Sequence, residues 1–482
     1  MPSRDQTSLR RILALALPVA LQSLFMGLVS LTDQLLVGQL GDKAIGAAGI
    51  AGQLTALVGF VLTGLVVGVS AITAQFWSRG DRPAARGTYR FSTGLSLLIA
   101  LPVAGVGIIA PAVLMRPFSD DAALMAVGTA FIRLIAASFL PTVGVVAASG
   151  LLRSIGKMKT PLYASVLAVL LNLVLDWTLM FGHFGAPRLG LLGSGVGTLA
   201  ARLVEGAILL VAARRAVGRR VPDQGLAPAT RRAILATAAP LVLNELVWVL
   251  SENTYAAVYG HIGTSLLVAM AMTYPLQNLV MGLFTGISAA ATPLIGGRLG
   301  LGDRAGAQTA ARRLLGVTLA AALALVGLVA ALANLYAGLY DVSAEVRASA
   351  VACLMVFAGF LVVKACNKVI YDGVLATGGD TRYFFVSGTL ATWLIGVPLA
   401  LAAAFWLHYP IWLVYLCLSC EEVVRLVIGW RRVRSQKWMR VNVADIAHRT
   451  KRFIHGRDQI PDQVWDDEGQ RHCGLDPRSR RE

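Results

Sequence analysis

Apolar runs of at least about 18 residues, long enough to cross a hydrocarbon core, alternate with short polar breaks along most of the chain. They fall near 12–37, 45–76, 91–115, 123–152, 161–182, 190–213, 233–259, 265–297, 314–340, 347–376, 384–406 and 409–430. This pattern predicts twelve transmembrane helices, the form in which a chain satisfies its own backbone inside lipid. The basic start, Met1 to Arg11, runs straight into the first apolar stretch, which therefore reads as a span and not as a separate cleavable leader. Two polar stretches interrupt the pattern. Residues 214–232 hold six arginines with Gly218, Pro222, Gly225 and Pro228, the signature of a linker. The second, 435–482, is polar and mixed in charge with no apolar period, and predicts a disordered tail whose basic start near Arg431 to Arg440 lies against anionic lipid.

Composition agrees with the bilayer as solvent: of 482 residues 56% are hydrophobic and only 14% charged, against roughly a quarter charged in an ordinary soluble domain. A net charge of +17 would suggest nucleic acid in a soluble protein, but the basic residues cluster between spans, where they set topology. Placing the N-terminus in the cytoplasm puts twenty-one Lys and Arg on that side before the tail, including Arg79, Arg82, Arg86, Arg153, Arg214, Arg298 and Arg304, and four on the other: Lys43, Arg116, Arg188 and Arg347. Both termini are thus expected inside, with an even number of spans and no nucleic-acid partner. Cys353, Cys366, Cys417, Cys420 and Cys473 are an odd set with four in apolar segments, so neither disulfides nor a metal site is indicated. The six histidines are scattered, which disfavours a membrane-embedded enzyme, and the absence of GxxxxGK[ST] disfavours ATP as the energy source.

The second half repeats the first at an offset near 222: Pro18 matches Pro240, Gly38 matches Gly260, Thr63-Gly64 matches Thr285-Gly286, and Gly80-Asp81-Arg82 matches Gly302-Asp303-Arg304. After one residue of slip, Gly150 pairs with Gly373 and Gly156 with Gly379. Six spans per half means that both copies enter the membrane in the same direction, related by an axis along its normal. The expected domains are an N-terminal six-helix lobe (1–213), the linker (214–232), a C-terminal six-helix lobe (233–434) and the tail. Two such bundles around a cleft suit a rocking carrier better than a pore.

The string PVALQSLFMGLVSLTDQLLVGQLG, the loops SRGDRPAA and GLGDRAGA, the turn LATGGDTR, and LLNLVLDWTLMFG followed by GSGVGTLAAR resemble the multidrug and toxic compound extrusion (MATE) family over roughly residues 10 to 435. The resemblance implies an all-α membrane protein with a V-shaped pair of six-helix bundles. It also implies an antiporter driven by inward H+ or Na+ that exports cationic, aromatic or amphipathic compounds. A flippase for a lipid-linked precursor, from the same superfamily, is the alternative. The protein is expected to work as a monomer in the bacterial inner membrane, with small organic cations as partners and no cofactor beyond the coupling ion.

A carboxylate at the bilayer centre costs on the order of 2.5–3.5 kcal/mol on insertion scales, so one kept there is a functional candidate. Asp33 lies deep in the first span, and Asp176 follows Asn172 by one helical turn on the fifth. By resemblance to the family's prokaryotic members, a cation site in the N-terminal lobe falls on Asp33, Asn172, Asp176 and Thr198. Two facing carboxylates suit a shared proton, and with added Asn and Thr oxygens they suit Na+. The repeat puts Tyr255 opposite Asp33 and Leu399 opposite Asp176, so the C-terminal half lacks the pair. It carries instead Glu245 and Glu252 on the seventh span and Lys364, Lys368 and Asp372 on one face of the tenth. These form either an internal ion-pair network or a second coupling or substrate site made of Glu245, Glu252, Lys364 and Asp372. The family branch with acidic coupling residues on the tenth span would place one near Ala365, which departs from this sequence.

Glu421, Glu422 and Arg425, like Arg202 and Glu205, are spaced for pairing along their own helices. The GDR and GGD turns predict helix caps. Pro18 predicts a hinge in the first span, because it leaves a carbonyl unpaired. Trp248, Tyr255, Tyr274, Gln277 and Asn278 are candidates to line a cleft for flat cations.

Overall fold

The computed structural model describes residues 8–117, 122–218, 225–340 and 342–440, and every regular element among them is helical. The N-lobe contains α1 (Leu9–Gly38), α2 (Asp42–Ser78), α3 (Arg82–Ile109, followed by a short turn of helix at Pro111–Met115), α4 (Ala122–Ser154), α5 (Lys159–Phe181) and α6 (Leu191–Val217). The C-lobe contains α7 (Pro228–Ile262) and α8, which starts as Thr264–Ala291 and continues through a π-helical turn, Thr292–Gly296, to Gly300. It is completed by α9 (Arg304–Ala337), α10 (Ala344–Gly378), α11 (Thr381–Trp406) and α12 (Ile411–Arg434). Eleven of the twelve are long and apolar enough to span a bilayer. In α12, Glu421, Glu422 and Arg425 dilute the apolar run, yet its 24 residues reach about 36 Å at 1.5 Å per residue.

Several helices outrun their apolar cores. α7 begins at Pro228 and α9 at Arg304, well before the hydrophobic runs, because hydropathy marks only the lipid-facing length while the helix continues into the interface. Two of the three glycine turns start the next helix as expected: Asp81 Oδ1 accepts from the Ala84 amide at 3.0 Å and Asp303 Oδ1 from the Gly306 amide at 2.7 Å. Asp380 departs from that expectation. Its fully buried carboxylate caps nothing and instead pairs with Arg432 Nε at 2.6 Å and Arg440 Nε at 2.9 Å. Of the linker, residues 219–224 lie outside the described residues, and its flanks belong to α6 and α7.

The tail differs at its start. Residues 441–482 lie outside the described residues, but 435–440 are packed. Trp438 is fully buried, its Nε1 donating to Gln308 Oε1 on α9 at 3.1 Å, while Gln308 Nε2 donates to the Val433 carbonyl at 3.1 Å. The Arg440 amide donates to the Gly378 carbonyl at 2.9 Å, and a Cβ at Gly378 would collide with the indole. An aromatic side chain with a satisfied N–H is thus seated beneath α9 and α10.

Within the N-lobe α4 packs on α2, α3 and α6, and α5 on α6 and α1. In the C-lobe α10 packs on α8, α9 and α12, and α11 on α7. Between lobes, α1 lies on α8 and α2 on α7. The repeat becomes geometry at this crossing. A Cβ at Gly286 of α8 would fall on the Ala16 carbonyl and 2.9 Å from the Ala20 amide of α1, and one at Gly64 of α2 would sit 3.1 Å from the backbone of Leu241 and Val242 on α7. These are corresponding positions of the two halves. At the ends of α2 and α8, Ser78 lies against its repeat partner Gly300, and Arg79 Nε of the N-lobe donates to the Gly300 carbonyl of the C-lobe.

Candidate functional site

On α5, Asn172 and Asp176 lie one turn apart and both are buried. Asn172 Nδ2 donates to Asp176 Oδ1 at 3.1 Å. Asp33 comes from α1, which packs along α5, and its carboxyl approaches that of Asp176 within hydrogen-bonding reach. Both groups are acceptors when ionised, and Asp33 Oδ1 and Asp176 Oδ2 are each buried without a hydrogen-bond partner. The pair is therefore short of a donor: a proton or a small cation between the carboxyls would relieve their repulsion and supply the missing contacts.

The floor of this site comes from α6, which contributes two residues that the sequence did not single out. Ser194 places a hydroxyl near Asp176, and Gly197 lets the carboxyl come close: a Cβ there would occupy the place of Asp176 Oδ1 and stand 3.3 Å from Asn172 Nδ2. Small residues carry no hydropathy or charge signal. They lie in the run GSGVGTLAAR, within the first two turns of α6. Thr198 follows Gly197 and is half-buried; among the described residues no hydrogen bond joins it to the carboxyls. The structure thus brings together Asp33, Asn172 and Asp176, with Ser194 and Gly197 added.

The C-lobe holds a different arrangement. Lys364 Nζ of α10 lies 3.4 Å from Glu422 Oε1 of α12. Asn367 Nδ2 donates to Glu422 Oε2 at 2.7 Å and to its carbonyl at 2.8 Å. Arg425 stands 3.8 Å from Glu422 and over the Tyr371 ring, 5.0 Å from its centroid. Glu421 accepts from Tyr255 OH of α7 at 3.5 Å. Glu421, Glu422 and Arg425 therefore tie α12 to α7 and α10, where the sequence suggested pairing along one helix. Lys368 and Asp372 pair with each other at 2.7 Å. Lys364 and Lys368 lie one turn apart on the regular helix, and a π-helical stretch, Val369–Leu375, begins directly after Lys368 and carries Asp372. Glu252 lies within electrostatic range of Lys364 and Glu422, and Glu245 of Lys368 and Asp372; both are half-buried and neither has an ion pair within 4.0 Å among the described residues. On α7 they share a stripe with Leu241 and Trp248, the residues that meet the N-lobe, and Trp248 packs edge-on against Phe60 of α2 with centroids 5.2 Å apart. Gln277 bridges Thr273 at 2.8 Å and Tyr415 at 3.0 Å, Tyr274 is half-buried, and Asn278 is exposed. Pro18 is buried in the continuous helix α1, fifteen residues before Asp33.

The MatE family model matches residues 18–178 and 240–402, one copy in each lobe. The chain is 28% identical over 414 residues to a probable multidrug resistance protein NorM of Bradyrhizobium diazoefficiens, covering 82% of this chain and 86% of that protein. It is 32% identical over 416 residues to a probable multidrug resistance protein NorM of Burkholderia mallei, covering 81% and 85%. Among solved structures, the Vibrio cholerae MATE transporter VcmN superposes with a TM-score of 0.81 at 17% identity, over 89% of this chain and 98% of that one. With a twofold repeat seen in the helices and matched twice by the family model, the chain belongs to the MatE family of transporters.

Proposed function

We propose that this protein is a secondary antiporter that exports cationic or amphipathic organic compounds from the cytoplasm in exchange for inward H+ or Na+, by alternating access of its two lobes. The observation that carries this reading is the facing pair Asp33 and Asp176, buried and short of a donor. A coupling ion arriving between them changes the charge and the packing of α1 against α5, and Pro18 gives α1 a weak point at which to bend. Asn172 holds Asp176, and Ser194 and Thr198 stand nearby for an ion that needs more oxygens. A membrane potential contributes roughly 2.3 kcal/mol per charge per 100 mV, equivalent to about a 50-fold change in affinity. The curated relatives named as multidrug resistance proteins support drug-like cargo.

The arginine-rich face is taken as cytoplasmic, with both termini there and the protein acting as a monomer in the inner membrane. The C-lobe group of Glu245, Glu252, Lys364 and Asp372 is the candidate second site, its two unpaired glutamates facing the side where the lobes meet. The reading is tested by efflux of a cationic dye from everted vesicles under an imposed pH or Na+ gradient, comparing wild type with Asp33→Asn and Asp176→Asn. Gradient-driven efflux is expected to disappear in both variants; efflux equal to wild type in both would remove the assigned coupling site.

A further inference from the structure

Below the carboxyl pair, α1 makes a second polar contact with its own lobe. Arg153, in the last turn of α4, donates from its guanidinium to Gln22 Oε1 at 2.8 Å. Gln22 is buried, four residues beyond Pro18. Among the described residues, the acid in electrostatic range of Arg153 is the buried Glu205 of α6, itself paired to Arg202 at 2.8 Å. Arg153 Nε is buried without a partner, so the side-chain contact that holds the guanidinium is the amide oxygen of Gln22. An isolated buried charge of this kind is costly unless its geometry does something for the fold or the mechanism.

Gln22 and Asp33 are eleven residues apart, about 16 Å along the helix and about 20° around it at 100° per residue. They lie on one face of α1, roughly a third of a turn away from Ala16, Ala20 and Ser23, the residues that meet α8. On that face α1 has two polar attachments to the N-lobe, Gln22 to α4 and Asp33 to α5, with Pro18 just below the first. An ion bound at Asp33 can displace the outer part of α1 usefully only if some lower point is fixed; otherwise the whole helix slides and the motion is lost.

We propose that Arg153 is a positioning residue for ion coupling, pinning α1 through Gln22 one turn past Pro18, so that the segment bearing Asp33 moves about a fixed point. The proposal rests on the coupling role of Asp33 given above. Its test is dye binding to the purified full-length protein in detergent, followed by release on an acid jump or on addition of Na+, for Gln22→Leu, Arg153→Met, Arg153→Lys, the double variant Gln22→Leu/Arg153→Met, and Asp33→Asn. The single variants are expected to bind dye within about twofold of wild type, while ion-triggered release falls about fivefold or more. The double variant should be no worse than either single one, because both remove the same contact. Arg153→Lys, which keeps a donor for Gln22, should recover most of the release. Release equal to wild type in Gln22→Leu overturns the proposal even if Arg153→Met does not fold, and so do losses that add in the double variant. If Asp33→Asn still releases dye on ion addition, the coupling assignment itself fails; if it does not, while Gln22→Leu does, the pin alone fails.

Discussion

Asp176 is almost wholly removed from solvent, and its neighbours supply one donor, Asn172, for a group whose second oxygen is left bare. Replacing it by Asn keeps the shape and removes the charge, which should leave dye binding intact and abolish gradient-driven efflux. A sharper residue-scale prediction concerns Gly197. Any side chain there takes the volume of Asp176 Oδ1, and overpacking of this sort costs typically 1–3 kcal/mol, about a 5- to 150-fold change in an equilibrium. Gly197→Val should therefore push the α5 carboxyl away from Asp33 and reduce ion-driven efflux by about tenfold or more, while the protein still folds and reaches the membrane. Vesicle transport set against expression level checks this, and an unaffected rate would show that the close approach of α6 has no bearing on coupling. Asp33 and Asp176 were legible in the sequence because a carboxylate in an apolar run stands out by its cost, and Asn172 joined them by its one-turn spacing and the family resemblance. Ser194 and Gly197 were not, because what they contribute is the absence of bulk.

The helices themselves were read well wherever apolar length decided, and less well where polar ends or unusual turns did. α7 and α9 begin in arginine-bearing stems that no hydropathy window detects. The π-helical stretches at 292–296, 369–375, 392–396 and 402–406 leave no period in the sequence, although the second of them begins directly after Lys368 and carries Asp372. The segment after α12 reads as polar, yet one of its side chains, Trp438, is fully buried against Gln308 and Gly378, and Asp380 closes the turn with two arginines. Truncating a buried Trp to Ala typically costs 3–5 kcal/mol. Trp438→Ala should lower the thermal unfolding midpoint of the purified protein measurably, and Asp380→Asn should do the same by leaving Arg432 without its counter-charge. Neither change touches the N-lobe pair, so ion-triggered dye release below the new midpoint should persist. An unchanged midpoint for Trp438→Ala would mean that the terminal segment is not held to α9 and α10 in the membrane protein.

At the scale of the whole molecule, the two lobes are in close contact at and below the midpoints of their crossing helices, on the arginine-rich side. Gly286 meets Ala16 and Ala20, Gly64 meets Leu241 and Val242, Gly282 comes within 3.1 Å of Ser23 by a built Cβ, and Arg79 reaches the Gly300 carbonyl. Along the same stripes toward the other face the contact ends: a Cβ at Gly27 of α1 would meet nothing within 4 Å, and Leu57 of α2, one turn from Phe60, is 44% exposed. The lobes thus meet closely on the arginine-rich side, and their contacts thin out toward the opposite one. Closure depends on backbones approaching where only hydrogen fits, so a bulky side chain at one crossing should tilt the equilibrium toward the inverse state. Gly286→Leu is expected to do this by wedging α8 off α1. In a cysteine-free background, Leu57→Cys should then react more slowly with an impermeant thiol reagent added from outside intact cells, and Ser78→Cys, now sealed against Gly300, should react faster in everted vesicles. A shift of about 1.4 kcal/mol in the balance changes the two-state ratio tenfold, well within what labelling rates resolve. If both rates stay as in the parent protein, the glycine crossings hold the lobes together without governing which face is open.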